Sequence, residues 1–324
     1  MSRHQFNTLL TAALFIANLA LSSLPAFAEV TRQDNGNIAK ELQTPVYFWQ
    51  DNSHKPTAIV LAIHGLALHG TVFDSMARHL AARHMIVAAP DLRGYGKWCQ
   101  RDKPKNAEYK ESEVDLLALA KKLRARYRNL PLFVAGESLG ASLAIKMAAK
   151  HPDIIDGLIL SAPAVRHQHH VPLRTIADAT RVLTNPTYKV DVSGFIRYYY
   201  SEDPAVNTEE LNDPLIRKNM SLGELLASCR VISSAAYCID QIPANMPILI
   251  MQGKKDRMVK LSSVDELEHK LKSTNQTVRW FPERGHILLE TAHVGPDTLE
   301  AVTSWLETHC VMRTAEGASV ALAR

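Results

Sequence analysis

Ser138, Asp256 and His286 are the residues of this chain whose types and spacing could do chemistry together. A serine hydroxyl is a weak nucleophile at neutral pH. It attacks a carbonyl only when a base takes its proton and an acid holds that base in the right tautomer. Ser138 lies in Gly136-Glu137-Ser138-Leu139-Gly140. The apolar run before it (Leu132 to Ala135) reads as a strand, and the small-residue stretch after it (Leu139 to Lys150) as a helix. A nucleophile on so sharp a turn needs small neighbours two residues either side, which Gly136 and Gly140 supply. The turn also places the hydroxyl at a helix N-terminus, where free amides favour negative charge. A glycine-bounded serine in an ordinary turn would share the pattern. The strand, the helix and the partners below favour the catalytic reading.

Asp256 follows the apolar run Pro247 to Met251, within Gly253-Lys254-Lys255-Asp256, and Gly285-His286 follows the run Val278 to Phe281. The chain has 14 histidines, so the residue type alone says little. Position decides, because the C-terminal ends of parallel strands meet at one edge, where ligands bind. Asp240 and Glu283 are rival acids, but neither is as well placed after a strand. A tetrahedral intermediate also needs two donors for its oxygen. The Leu139 amide is one. The loop His64-Gly65-Leu66-Ala67 follows the run Ala58 to Ile63, and Gly65 lets it turn its amides inward, so Leu66 is the second.

The elements that must position these groups alternate along the chain. Strands are expected at Pro45 to Trp49 (an early, edge-like strand), Ala58 to Ile63, Met85 to Ala89, Leu132 to Ala135, around Leu158 to Leu160, Pro247 to Met251 and Val278 to Phe281. Helices are expected at Thr71 to Arg83 with Thr71 as N-cap, along the face Leu116, Leu117, Ala120, Leu123, Tyr127, and at Leu139 to Lys150, Leu261 to Leu271 and Leu299 to His309. Apolar strands separated by helices imply an α/β fold with a mainly parallel sheet, covered by helices on both faces. Between about Val165 and Ile242 the rhythm breaks into helical patterns with no clear strand, which reads as a helical cap inserted between two sheet strands.

Composition bounds the rest. Hydrophobic residues make up 46% and charged residues 22%, an ordinary globular balance, and a net charge of +4 gives no phosphate-binding stripe and no nucleic-acid partner. Arg3 and His4 precede an apolar run, Leu9 to Leu21, that ends in Leu24-Pro25-Ala26-Phe27-Ala28. This reads as a signal peptide cleaved after Ala28, with export to periplasm or medium. The run is short of the roughly 20 residues a membrane anchor needs. In an oxidising compartment Cys99, Cys229, Cys238 and Cys310 could pair in three ways. If Leu222 to Ile239 is helical, Cys229 and Cys238 stand about 13 Å apart along the axis, against the ~7 Å a disulfide allows. The expected organisation is a signal peptide (1–28), a core (29–164 and 243–310), a cap (165–242) and a flexible tail (311–324).

On these motifs the chain resembles the α/β-hydrolase superfamily, and within it the serine aminopeptidase, monoacylglycerol lipase and lysophospholipase group. The segment His64-Gly65-x-x-x-His69-x-x-x-Phe73 is similar to that group's His-Gly motif, and Asp91-Leu92-Arg93-Gly94-Tyr95-Gly96 to its Asp-x-Arg-Gly-x-Gly loop. Gly253-x-x-Asp256-x-x-Val259 and Gly285-His286 resemble its acid and base motifs. The resemblance spans roughly residues 44 to 310. It implies hydrolysis of carboxylic esters, acylglycerol or lysophospholipid-like, without a cofactor, by a Ser138–His286–Asp256 triad under a variable helical cap. Ala67-Leu68 replaces the Gly-Glu common in monoacylglycerol lipases, and Ala141 replaces a frequent second glycine.

Other features carry less. Arg166-His167-Gln168-His169-His170 has no regular ligand spacing and no built-in carboxylate, so it reads as a polar hinge, and no metal is assigned. Tyr198-Tyr199-Tyr200 offers transient contact with substrate or a membrane surface, against an assignment as part core, part surface. Asp91 and Arg93 are expected to brace their loop rather than bind substrate. A peptidase that releases N-terminal residues is the rival enzyme, with Glu209, Glu210 or Glu224 of the cap holding the substrate amine. A non-catalytic carrier retaining the fold is the rival from another class, but it has no need of three ordered catalytic groups.

Overall fold

The computed structural model describes residues 29–100, 106–165, 185, 188–313 and 319–321. The leader at 1–28 and the histidine cluster at 166–170 lie outside the described residues. A single eight-stranded sheet organises the core. Its strands are β1 (Val30–Asp34), β2 (Val46–Asp51), β3 (Ala58–Ile63), β4 (Met85–Pro90), β5 (Leu132–Glu137), β6 (Gly157–Ser161), β9 (Ile248–Gly253) and β10 (Gln276–Phe281). The order across the sheet is β1-β2-β4-β3-β5-β6-β9-β10. The pairs β1·β2 and β2·β4 are antiparallel, and every pair from β4 to β10 is parallel.

Every residue of β3, β4, β5, β6 and β9 is buried, as parallel strands covered on both faces require. Helices α1 (Asn37–Leu42), α2 (Asp74–Ala81), α3 (Tyr109–Arg126), α4 (Leu139–Lys150), α7 (Ser262–Lys270) and α8 (Pro296–His309) belong to this core. The small residues of α4 (Gly140, Ala141, Ser142, Ala144) let it lie close against β5 and β6. Trp305 of α8 packs edge-on against Phe133 of β5 at 5.7 Å.

The early strand is not an edge. Val30–Asp34 pairs outside it, and the short helix α1 follows, both in a polar stretch without a periodic apolar signal. Thr71 does not cap a helix. Gly70–Phe73 forms a 3₁₀ turn, Thr71 Oγ1 meets His69 Nδ1 at 2.8 Å, and the α-helix starts at Asp74. Near the C-terminus β11 (Val311–Arg313) pairs antiparallel to β12 (Ser319–Ala321).

Between β6 and β9, neighbours in the sheet, the chain leaves the core and returns. This insertion holds α5 (Pro204–Asn212) and α6 (Leu222–Ala236). It also holds an antiparallel ribbon, β7 (Lys189–Asp191) with β8 (Asn219–Ser221), which the sequence did not suggest. Ser221 starts α6 with a capping box, its side chain taking the Glu224 amide while Glu224 takes the Ser221 amide. As expected from the helical pattern, α6 runs through Cys229. All four cysteines are free thiols.

Candidate active site

Ser138 sits between β5 and α4 with φ 54° and ψ −116°. A non-glycine residue in that region costs on the order of 1–3 kcal/mol and persists only where its surroundings impose it. Here the Ser138 amide donates to Ser161 O (2.9 Å) and its carbonyl accepts the Ala141 amide (3.1 Å). Gly136 and Gly140 touch backbone to backbone, and a Cβ on Gly140 would collide with Ile63 O, so the turn closes only with glycine at both places. The loop after β3 also comes near, since a Cβ on Gly65 would lie 3.6 Å from that of Ser138. Among the described residues, neither the Leu66 nor the Leu139 amide has a hydrogen-bond partner. His64 has a bracing role. Its Nδ1–H donates to Gly65 O (2.8 Å), its Nε2 accepts the Leu92 amide (3.0 Å), and burial lowers its pKa to about 3, so it stays neutral.

Asp256 and His286 meet. His286 Nδ1 donates to Asp256 Oδ2 at 2.8 Å, with 2% of the His286 side chain and none of the Asp256 side chain exposed. The other carboxylate oxygen accepts the amides of Met258 (2.7 Å) and Val259 (3.0 Å), while Gln252 Nε2 donates to Oδ2 (2.8 Å). Burial opposes ionisation of Asp256, but the His286 ring and these donors outweigh it and hold the carboxyl below its ordinary value. Burial likewise opposes protonation of His286. The Asp256 charge prevails, and the imidazole titrates above its ordinary value. The rival acids stand elsewhere. Glu283 is an exposed partner of Lys255, and Asp240 an exposed residue in a 3₁₀ turn.

Two buried carboxyls that sequence reasoning did not select tie these parts together. Glu137, next to Ser138 and fully buried, accepts the amides of Leu288 (2.8 Å), Leu289 (3.1 Å) and Glu290 (2.9 Å) and the Ser161 hydroxyl (2.5 Å). The histidine loop is thus fastened to the serine elbow through one carboxylate. Glu290 in turn accepts the Gly65 amide at 2.6 Å. Burial and the nearby Glu137 push the Glu290 carboxyl well above its ordinary value. The available signal was a charged residue ending an otherwise apolar strand, Leu-Phe-Val-Ala-Gly-Glu. No hydrogen bond joins the Ser138 hydroxyl to the His286 ring among the described residues. The clamp made by Glu137 is what brings their two loops to the same rim.

The insertion reaches the same rim. Ile287 N donates to Tyr200 O (3.0 Å), the Tyr200 hydroxyl donates to Glu290 O, and Glu202 accepts the Gly285 amide (2.7 Å). Arg217 donates its amide to Ala67 O (2.8 Å) and its guanidinium to Gly94 O (3.0 Å), and pairs with Glu224. Asp91 and Arg93 brace their loop as expected. Asp91 accepts the Gly70 and Lys97 amides at 2.8 Å each and the Tyr47 hydroxyl at 3.1 Å, and Arg93 grips Asp115 with two nitrogens.

Known proteins are similar to this chain in sequence and in fold. The family model described as serine aminopeptidase, S33 matches residues 54–291. Monoglyceride lipase of Mus musculus is 23% identical over 279 residues, covering 80% of this chain and 85% of its own length. Monoacylglycerol lipase of Mycolicibacterium smegmatis is 25% identical, covering 78% and 89%. The crystal structure of Paleococcus ferrophilus monoacylglycerol lipase superposes with a TM-score of 0.66 at 22% identity, over 87% of this chain and 99% of that one. The chain belongs to the serine aminopeptidase, S33 family, and with it to the serine ester hydrolases of the α/β-hydrolase fold.

Proposed function

We propose that this chain hydrolyses small lipid esters, monoacylglycerol or lysophospholipid-like, through an acyl-enzyme on Ser138. The observation that carries the reading is the buried Asp256–His286 pair, fastened by Glu137 to the turn that presents Ser138. As the Ser138 oxygen attacks the ester carbonyl, His286 Nε2 takes its proton, and Asp256 stabilises the imidazolium. The carbonyl oxygen becomes an oxyanion held by the Leu66 and Leu139 amides, which have no other partner. Collapse breaks the C–O bond, and His286 returns the proton to the departing alcohol. Water, deprotonated by the same imidazole, then releases the fatty acid and regenerates Ser138. A catalytic hydrogen bond often forms only in the substrate complex, so the open Ser138–His286 contact is compatible with this role.

The peptidase reading has less support, because two of its three acidic candidates have other partners. Glu224 caps α6 and pairs with Arg217, and Glu209 pairs with His293 at the surface. Glu210 is buried, and burial with Asp213 nearby raises its pKa to about 7. We also propose export with cleavage after Ala28, checked by N-terminal sequencing of secreted protein; a first residue other than Glu29 counts against that site. For substrate class, p-nitrophenyl esters of rising chain length are run beside aminoacyl-anilides. Faster turnover of the esters is expected, and faster turnover of the anilides overturns the assignment.

A further inference from the structure

A second Asp–His constellation stands at the other edge of the sheet. β4 begins at Met85, directly after His84, and ends next to Asp91 on the active-site side. β2 runs antiparallel to β4 and ends at Asp51. Asp51 and His84 therefore share the N-terminal edge of the parallel strands, remote from Ser138. His54 joins them from the loop between β2 and β3.

The side chain of Asp51 is 1% exposed. Its Oδ1 accepts the amides of Ser53 (2.8 Å) and Glu29 (3.2 Å). On a chain processed after Ala28 the latter donor is the terminal ammonium. It meets Oδ1 and leaves Oδ2 to the histidines. Oδ2 faces His54 Nδ1 at 2.6 Å and His84 Nδ1 at 2.9 Å, with the ring centres 4.2 Å apart. All three ligand atoms lie within 4.8 Å of one another. Among the described residues no Lys or Arg reaches this carboxylate. Two imidazoles thus turn the same nitrogen toward one oxygen of a buried anion.

The backbone holds these groups in place. Asp51 pairs with Val30 across β1·β2. His84 adopts φ 64°, a left-handed conformation in which His is enriched among non-glycine residues. Its amide donates to Ala81 O (2.9 Å), and its carbonyl accepts the Thr57 amide (2.8 Å).

We infer that Asp51, His54 and His84 bind a divalent transition cation through Asp51 Oδ2 and the Nδ1 atom of each ring. Two imidazoles and one carboxylate suit zinc, nickel or copper better than magnesium or calcium. Three protein ligands leave a fourth, tetrahedral position for water. The cation takes the place of the Nδ1 protons between each ring and Oδ2, and each neutral ring then carries its proton on Nε2. Ligand atoms about 2.0–2.1 Å from zinc stand roughly 3.3 Å apart, so the rings must draw back by several tenths of an ångström. The histidine side chains, 39% and 38% exposed, are free to do so. Binding would clip the loop after β2 to the turn before β4.

The test is calorimetric titration of the EDTA-treated, dialysed full chain with Zn²⁺ at neutral pH. It is run beside His54→Ala, His84→Ala and the triple variant His167→Ala/His169→Ala/His170→Ala. One ion per chain is expected, with micromolar affinity and a melting temperature raised by a few degrees. Either single variant should weaken binding about tenfold or more, while the triple variant binds as the wild type does. Circular dichroism checks that each variant is folded. Absence of uptake by the wild-type chain overturns the inference. So does binding that survives both single variants, or that disappears only in the triple variant.

Discussion

Asp256 and Asp51 are built alike but stand in different surroundings. Each takes backbone amides on one carboxylate oxygen and an imidazole Nδ1 on the other. At the Asp256 end the single ring is buried, a side-chain amide from Gln252 completes the shell, and a strained serine and two unpartnered amides stand at the same rim. At the Asp51 end two half-exposed rings share the oxygen, and no nucleophile stands among their hydrogen-bond partners. The contrast teaches that an Asp–His pair is not by itself a catalytic device. What distinguishes the pair proposed as catalytic is a buried ring held by its carboxylate and fastened to an elbow with two unpartnered amides.

The sharpest way to break this comparison is Ser138→Ala. Ester turnover should fall about a millionfold, with the circular dichroism spectrum and melting temperature unchanged, while His54→Ala leaves turnover as it was. Measurable residual turnover close to wild type would remove Ser138 from the chemistry. Next in size is Asp256→Asn, expected to cost about 10⁴-fold in kcat, whereas Asp51→Asn should leave kcat within a factor of a few. The pH profile sharpens the same point. His286 must be neutral to accept the serine proton, and the Asp256 charge outweighs burial to raise its pKa. Activity should therefore fall on the acid side through a pH above the ordinary imidazole value of 6.5, and the limb should move down in Asp256→Asn. An unmoved limb would show that another group controls it.

Smaller effects separate the two buried glutamates. Glu137→Gln replaces an acceptor of four hydrogen bonds by a group with one acceptor oxygen. Urea unfolding should register a loss of about 2–3 kcal/mol, together with a drop in kcat as the histidine loop loosens. Glu290→Gln keeps an acceptor oxygen for the Gly65 amide and should cost under about 1 kcal/mol by the same measurement. A larger loss for Glu290→Gln than for Glu137→Gln would make Glu290, and not Glu137, the stronger tie between these loops.

The sheet strands were legible because each buried strand is a continuous apolar run, and α4 because its small residues carry a helical face. The positions of Ser138, Asp256 and His286 could be read as ends of strands. What escaped was the polar scaffolding beneath them. Glu137 occupies a variable position of a motif, and its four donors lie 24 to 153 residues away, so no local pattern announces them. The strand Val30–Asp34 escaped for the opposite reason. It is an edge with a largely exposed side-chain pattern and no apolar alternation. The ribbon β7·β8 is only three residues per strand. The Asp51 cluster likewise depends on a pairing across residues 51, 54 and 84 that only the register of β2 on β4 creates.

Tyr200 sews the insertion to the histidine loop by two stitches, one from main chain to main chain and one from a buried hydroxyl. Neither depends on a surface side chain, so exchanging exterior residues cannot unpick them. The insertion is therefore tied to the chain immediately after His286. Changes in the insertion between the anchors at Tyr200 and Arg217 can alter its surface while both tethers to the core stay in place.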